Sequence, residues 1–470
     1  MADADVLDVG RMLSRLERAA PRREAGRVVE VTGLVVRATV PGIRVGDLCW
    51  IEPPGGDAHA TRVDAFGTTA GRTALSASPG ALVEAEVVGF RGAEAVLMPL
   101  GDLTGIGPDS TVTTTGRPLS IGVAPGLLGR VLDGLGRPAD GGGPIPGAEP
   151  WAVDRAAPDP LRRAPVTRPL PLGVRALDAL LTADEGQRLG LFAGSGVGKS
   201  TLLGQIARQT EADVNVIALV GERGREVGEF LDASLGPEGR ARSVVVCATS
   251  DAPSLVRLRS AFVATAIAEW FRDQGRRVLF MLDSLTRVAR AQREVGLADG
   301  EPPARQGYPP SVFALLPRLL ERTGMGAKGS ITALYTVLVA GGDMEEPIAD
   351  EVRGILDGHV VLSRELASRG HFPAVDVLAS LSRLMATVAE PPHRAAATRL
   401  REWLAAYERH RDLIALGAYQ RGADPATDAA LGRWGAITSF LRQSTDEAAP
   451  FAETRRRLYD LARDPKESSA

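Results

Sequence analysis

The sequence predicts an α/β protein in three parts: a small β-barrel, a central core on a mostly parallel sheet, and a C-terminal helical domain. Three observations carry that prediction. The apolar strand Leu189-Gly190-Leu191-Phe192 runs through the loop Ala193-Gly194-Ser195-Gly196-Val197-Gly198 into Lys199-Ser200-Thr201 at a helix start. Around it, strand-like and helix-like stretches alternate, as parallel strands joined by helical crossovers do. Ahead of this core lie short alternating runs with Gly or Pro between them, and beyond about residue 385 the strand signals stop.

Composition narrows the function. Of 470 residues, 44% are hydrophobic and 24% charged, enough for a large buried core. A net charge of −3 offers no global basic field for sequence-independent nucleic-acid binding. Cys49 and Cys247 lie far apart and read as reduced thiols. Five histidines without ligand spacing leave Mg²⁺ carried with a nucleotide as the one expected ion. The opening MADADVLDVGRMLSRL lacks the basic start and apolar run of a signal peptide, and no stretch of about 18 apolar residues occurs. The expected location is therefore cytoplasmic, with any membrane association made through partners.

Residues 1–25 carry Val6, Val9, Leu13 and Leu16 at helical spacing before Pro21, which fits an ordinary packed helix and a partner-docking helix equally. Over 26–100 the runs VVEVTGLVVRATV, DLCWIE, ALVEAEVVGF and AEAVLMPL predict a barrel. The Gly/Ala/Ser/Thr-rich stretch at 54–79 reads as an extended barrel loop, and GLGRPADGGGPIPGAEP at 134–150 as a surface connection. Strands of the core, 101–385, are expected at 188–192, 214–220, 243–248, 277–282, 331–338 and 359–362, with an inward-facing helix from Ser254 to Arg272. Residues 386–470 read as helical, broken at Gly417 and Gly422-Ala423-Asp424-Pro425, with a polar end.

The glycine loop is a phosphate cradle. Its backbone N–H groups face inward and the following helix adds a positive end, so Gly194 to Thr201 is the expected nucleotide contact. Lys199 would lie against the β and γ phosphates, and Ser200 would ligate Mg²⁺. The strict pattern begins with Gly, where this chain has Ala193; a methyl is tolerated there if φ is not positive. In Gly221-Glu222-Arg223-Gly224-Arg225-Glu226, Glu222 ends a parallel strand and could polarise an attacking water. The run Val278-Leu279-Phe280-Met281-Leu282 delivers Asp283 to the same edge, where Mg²⁺ is the natural partner of a buried carboxylate. Arg287 could reach the phosphates or pair with Glu294. Arg383, in the apolar run from Val377 to Leu384, needs an anion: an internal salt bridge or a neighbouring subunit's site both supply one.

Taken together, AGSGVGKST, GERGRE, LDSLTR, GYPPSVF, GSITALYTVLV, DGHVVLSR and LASLSRLM resemble, in order, the type III secretion ATPases, relatives of the catalytic β subunit of the F-type ATP synthase. The resemblance runs from about Arg27 to Ala430 and includes GRVLDGLGRP. VVVCATSDAPSLVRLR, ERTGMGAKGSITA and GGDMEEPIADEVR are more similar to the injectisome branch than to the flagellar one. It implies a RecA-like P-loop ATPase core and a homohexameric ring that hydrolyses ATP with Mg²⁺ at subunit interfaces. It also implies that Lys199, Ser200 and Thr201 bind phosphate and metal, Glu222 activates water, Arg223 joins the adjoining charge network, Asp283 holds the Mg²⁺ shell and Arg287 senses the γ-phosphate. Arg383 becomes an arginine finger acting in trans. Implied partners are a central stalk protein, a peripheral regulator on the N-terminal helix, an export gate at the inner membrane, and chaperone–effector complexes. The chain departs from the family in the long 54–79 loop and in having Pro391, Pro392, His393 and Arg394 where an aromatic clamp for adenine is expected.

Three alternatives fit less well. An ATP synthase β subunit lacks the turn IALGAYQRGADPATDAAL, a Rho-like nucleic-acid motor needs a basic, aromatic-bearing barrel face, and a non-catalytic subunit would lack Glu222.

Overall fold

The computed structural model describes residues 25–54 and 82–463. The expected N-terminal helix, the 54–79 loop beyond Pro54 and the polar end lie outside them. The described chain forms two compact units that divide between Leu119 and Ser120.

The first unit is a closed barrel of β1 (Ala25–Thr32), β2 (Val35–Thr39), β3 (Asp47–Glu52), β4 (Val83–Arg91), β5 (Glu94–Pro99) and β6 (Thr111–Pro118) in the order β1-β2-β5-β4-β3-β6. Alternate side chains, among them Val28, Val36, Ala38, Cys49, Ile51, Val87 and Leu97, fill its interior. Cys49 is free and wholly buried, and burial pushes its thiol up to about 12. A barrel ending at residue 100 is one strand short. β6 closes it by pairing with both β1 and β3. Its sequence TVTTTGRP buries only Val112, so no apolar alternation announces the strand.

In the second unit β7 (Ser120–Val123) pairs with β9 (Glu149–Ala152) apart from the main sheet. That sheet is built from β8 (Val131–Asp133), β10 (Arg188–Ala193), β11 (Val214–Glu222), β12 (Ser243–Thr249), β13 (Arg277–Asp283), β15 (Ser330–Leu338), β16 (Gly358–Leu362) and β17 (Val375–Ser382). Its order is β17-β16-β10-β15-β13-β11-β12-β8, with the short β14 (Gly324–Met325) beside β15. All pairings along it are parallel except that of β17, the edge strand. Strands covered on both faces need continuous apolar sequence, and in β11 every residue is buried.

Helices α1 (Lys199–Gln209), α2 (Ser254–Asp273) and α3 (Leu285–Asp299) follow β10, β12 and β13. The chain ends in α4 (Pro391–Ala415), α5 (Pro425–Leu441) and α6 (Phe451–Ala462). The expected boundary at residue 386 does not separate two cores. Leu400 and Trp403 of α4, Ile437 and Phe440 of α5, and Leu458 of α6 share one cluster with Leu189, Leu191 and Leu279.

Candidate active site

In an open parallel sheet, ligands bind beyond the carboxyl ends of the strands. There β10, β11 and β13 deliver Ala193, Glu222 and Asp283. Ala193 ends β10 in register with Leu338 and Leu362, and it is not among the positive-φ residues, so its methyl is accommodated. The positive φ values fall on Gly196 (77°) and on Gly198 (87°), the residue before α1, where glycine adopts them without a Cβ penalty. Val197 is buried and anchors the loop, whereas Ser195, Gly196, Ser200 and Thr201 face solvent.

Lys199, Glu222, Asp283 and Arg287 converge on this edge. Lys199 Nζ forms an ion pair with Asp283 Oδ1 and lies 3.7 Å from Glu222 Oε1. Thr336 Oγ1 donates to the same Asp283 oxygen at 2.8 Å. Arg287 NH1 is 2.8 Å from Glu222 Oε2 and also donates to the Gly221 carbonyl. Glu294 is taken by Arg257 and Ser254, so the alternative of an Arg287–Glu294 pair is not realised.

Burial, the nearby Asp283 charge and a hydrogen bond to Glu226 hold the Glu222 carboxyl well above the usual carboxylate range, against the pull of Lys199 and Arg287. A β-bulge aims it: the β11–β12 register shifts between Val220 and Glu222, and Gly221 between them has φ 67°. A Cβ on Gly221 would also meet Arg287 Cδ at 3.1 Å. Arg223 takes no part in the cluster. It is exposed, and its partner is Glu226 at 3.6 Å.

Ser200, exposed at the start of α1, and Asp283, at the end of β13, are the oxygen donors that the sequence offers for Mg²⁺. Among the described residues no group of three His, Cys, Asp or Glu side chains forms a metal cage. That donor set fits Mg²⁺, a hard cation usually held by one or two protein oxygens together with substrate phosphates and water.

Arg383 stands elsewhere. It follows β17, and because that strand is antiparallel its end meets the start of β16, with Ser382 opposite Gly358. Arg383 N–H donates to the Asp357 carbonyl, and Asp357 accepts from the N–H of Arg188, the first residue of β10. Five residues of β10 therefore separate Arg383 from the phosphate loop, about 17 Å at about 3.3 Å per residue. Its guanidinium is exposed and has no carboxylate partner among the described residues.

His393 is core: its ring is buried, Nε2–H donates to the Ala179 carbonyl at 2.9 Å, and Phe451 packs edge-on. The exposed aromatic beside the phosphate loop is Phe372, whose ring lies 3.5 Å from where a Cβ on Gly198 would sit. It opens onto a cleft of about 740 Å³ lined also by Trp434, Thr438, Arg442 and Gln443, and Gln443 N–H holds the Phe372 carbonyl at 3.0 Å. Phe372, Thr336 and Gly221 carry no role in the sequence reading. Of these, the glycine directly before a strand-end glutamate was the one local signal.

The sheet, the glycine loop and the two strand-end carboxylates define a P-loop ATPase. Residues 173–382 match the ATP synthase alpha/beta family, nucleotide-binding domain, and residues 389–460 match the T3SS EscN ATPase C-terminal domain. The chain is 49% identical over 450 residues to the flagellum-specific ATP synthase of Bacillus subtilis (strain 168), covering 96% of this chain and 98% of that one. It is 50% identical over 450 residues to the type 3 secretion system ATPase of Xanthomonas euvesicatoria, covering 96% of each. The structure of the assembled ATPase EscN from the enteropathogenic E. coli type III secretion system superposes with a TM-score of 0.83 at 42% identity, over 93% of this chain and all of that one. A second EscN structure, in complex with its central stalk EscO, gives a TM-score of 0.82. The chain belongs to the family of type III secretion and flagellum-specific ATPases. It binds nucleotide and hydrolyses ATP.

Proposed function

We propose that this chain is the hexameric motor of a type III protein secretion apparatus, with each ATP site completed at a subunit interface. The observation that carries this is the division of the charged groups: Lys199, Asp283, Glu222 and Arg287 meet at one edge of the sheet, and Arg383 lies exposed at the other with no carboxylate partner among the described residues.

Lys199 and the N–H groups of Gly194 to Thr201 bind the phosphates. Ser200 and Asp283 would hold Mg²⁺, which supplies neutralisation of the charge on the transferring phosphoryl group. Glu222, its carboxyl poised near neutrality and steadied by Arg287, orients the attacking water and accepts its proton. Arg287 is then close enough to respond to the γ-phosphate. Arg383 of the adjacent subunit offsets the charge that develops in the transition state. Phe372 stacks the base at the mouth of the cleft, the role once expected near residue 393.

The assembled EscN and its complex with EscO support a ring threaded by a central stalk. Within that reading the motor sits at the cytoplasmic base of the apparatus in the inner membrane and passes chaperone-released, unfolded substrates to an export gate. The N-terminal helix, residues 1–25, docks a peripheral regulator, and Arg223 contributes to the charges lining the interface. Among the described residues no helix is long and apolar enough to cross a membrane. A flagellar export ATPase is the second reading, favoured by the equally high identity to the Bacillus subtilis protein. Expression in strains lacking either the injectisome ATPase or the flagellar ATPase separates the two by which export returns. Specific activity measured over a dilution series tests the interfacial site: it should rise steeply with assembly, and a flat profile would overturn it.

A further inference from the structure

Among the described residues the Arg383 guanidinium makes one weak hydrogen bond, to the Arg353 carbonyl at 3.4 Å. Its direction is therefore set by the backbone that carries it. That backbone is anchored from below. Arg383 N–H donates to the Asp357 carbonyl at 3.0 Å. Ser382 Oγ donates to the Thr182 carbonyl at 3.2 Å and accepts from Gln187 Nε2 at 3.0 Å. The other amide hydrogen of Gln187 goes to the Asp357 carbonyl at 3.3 Å, and Gln187 Oε1 accepts from the Asp184 N–H at 3.1 Å.

Gln187 is fully buried, and these bonds admit one orientation of its amide, oxygen towards an N–H and nitrogen towards two acceptors. It grips both supports of the finger at once: Ser382, the preceding residue, and the carbonyl of Asp357, to which the Arg383 N–H is bound. Gln187 also directly precedes β10, the strand that ends in the phosphate loop. One strand thus carries a nucleotide cradle at its far end and a brace for the neighbour's site at its start.

We propose that Gln187 and Ser382 are positioning residues for Arg383, fixing the direction in which it leaves the edge strand. The proposal rests on the reading that Arg383 acts in trans. Gln187→Met keeps length and loses both donors; Ser382→Ala loses one hydroxyl and carries the test if the first variant assembles poorly. Either should lower kcat by about tenfold to a hundredfold, the cost of a finger displaced by about 1 Å, with KM for MgATP within about twofold of wild type and hexamers still formed. A merely structural role would lower assembly or Tm and leave the kcat of intact rings unchanged, which would overturn the proposal.

Mixed rings separate the possibilities further. Gln187→Met subunits should gain activity when combined with inactive Lys199→Ala subunits, which supply a well-braced finger, and should gain none with Arg383→Ala subunits. Recovery in rings of Lys199→Ala with Arg383→Ala but none with Gln187→Met overturns the brace alone. No recovery in either mixture overturns the trans finger on which the brace depends.

Discussion

At the carboxyl ends of β10, β11 and β13, Lys199, Glu222, Asp283 and Arg287 hold one another, while at the opposite end of the same sheet Arg383 is exposed and has no counter-charge among the described residues. The first group can satisfy itself within one chain. The second meets no anion among the described residues of its own chain and stays in water, and it would need one wherever assembly buried it. On the proposed reading the active site is two halves on two edges, and one subunit carries both halves at opposite ends of its sheet. The contrast extends to rigidity: Gln187 and Ser382 tie down the backbone under the unpaired arginine, where the paired cluster is steadied by its own side-chain contacts.

Changes on the two edges should differ in kind. Lys199→Ala breaks the first edge outright and should abolish hydrolysis and weaken nucleotide binding together, with Tm little altered; turnover near the wild-type rate would remove the phosphate cradle from the account. Arg383→Ala should cost on the order of 10³ in kcat with nucleotide binding kept, because a finger acts on the transition state. Equal losses in binding and turnover would place Arg383 in a ground-state contact. Glu222→Gln should lower kcat by about 10² to 10⁴ and leave rings loaded with ATP, measurable as bound nucleotide after gel filtration.

The pH profile sharpens the first edge. A base must be deprotonated to act, and Glu222 has its carboxyl pushed up to about 7. Thus kcat/KM should fall as pH drops below about 7, approaching tenfold per unit, and Glu222→Gln should lose that limb. A profile level down to the ordinary glutamate range would show that the carboxyl is not raised in the free enzyme. The smallest effect belongs to Phe372→Ala, which should raise KM for ATP by about tenfold through lost base stacking and leave kcat nearly unchanged.

Much of the paired edge is legible in the sequence because each part is local: an apolar strand, a glycine loop, a carboxylate where a buried strand ends. The core strands follow from continuous apolar runs such as Val278 to Leu282, which only a sheet covered on both faces requires. The rest depends on residues brought together from a distance. β6 hides because its outward face is threonine-rich, and the C-terminal helices join the core through contacts that no local pattern encodes. Phe372 meets Gly198 across 174 positions of chain, and Gln187 reads as an ordinary polar residue until Ser382 lies beside it. For Arg383 the sequence leaves a salt bridge and a finger equally open apart from the family resemblance, because whether a carboxylate lies near it depends on how the edge strand folds.

The central claim is that two edges of two subunits make one site, and rings mixed from Lys199→Ala and Arg383→Ala subunits test it most directly. Some interfaces in such a ring join an intact cradle to an intact finger, and with a finger contributing on the order of 10³ or more, their ATP hydrolysis should rise clearly above that of either inactive parent. Mixed hexamers, verified by two distinguishable tags, that stay as inactive as their parents would contradict it, because every subunit would then carry one lesion in a site of its own.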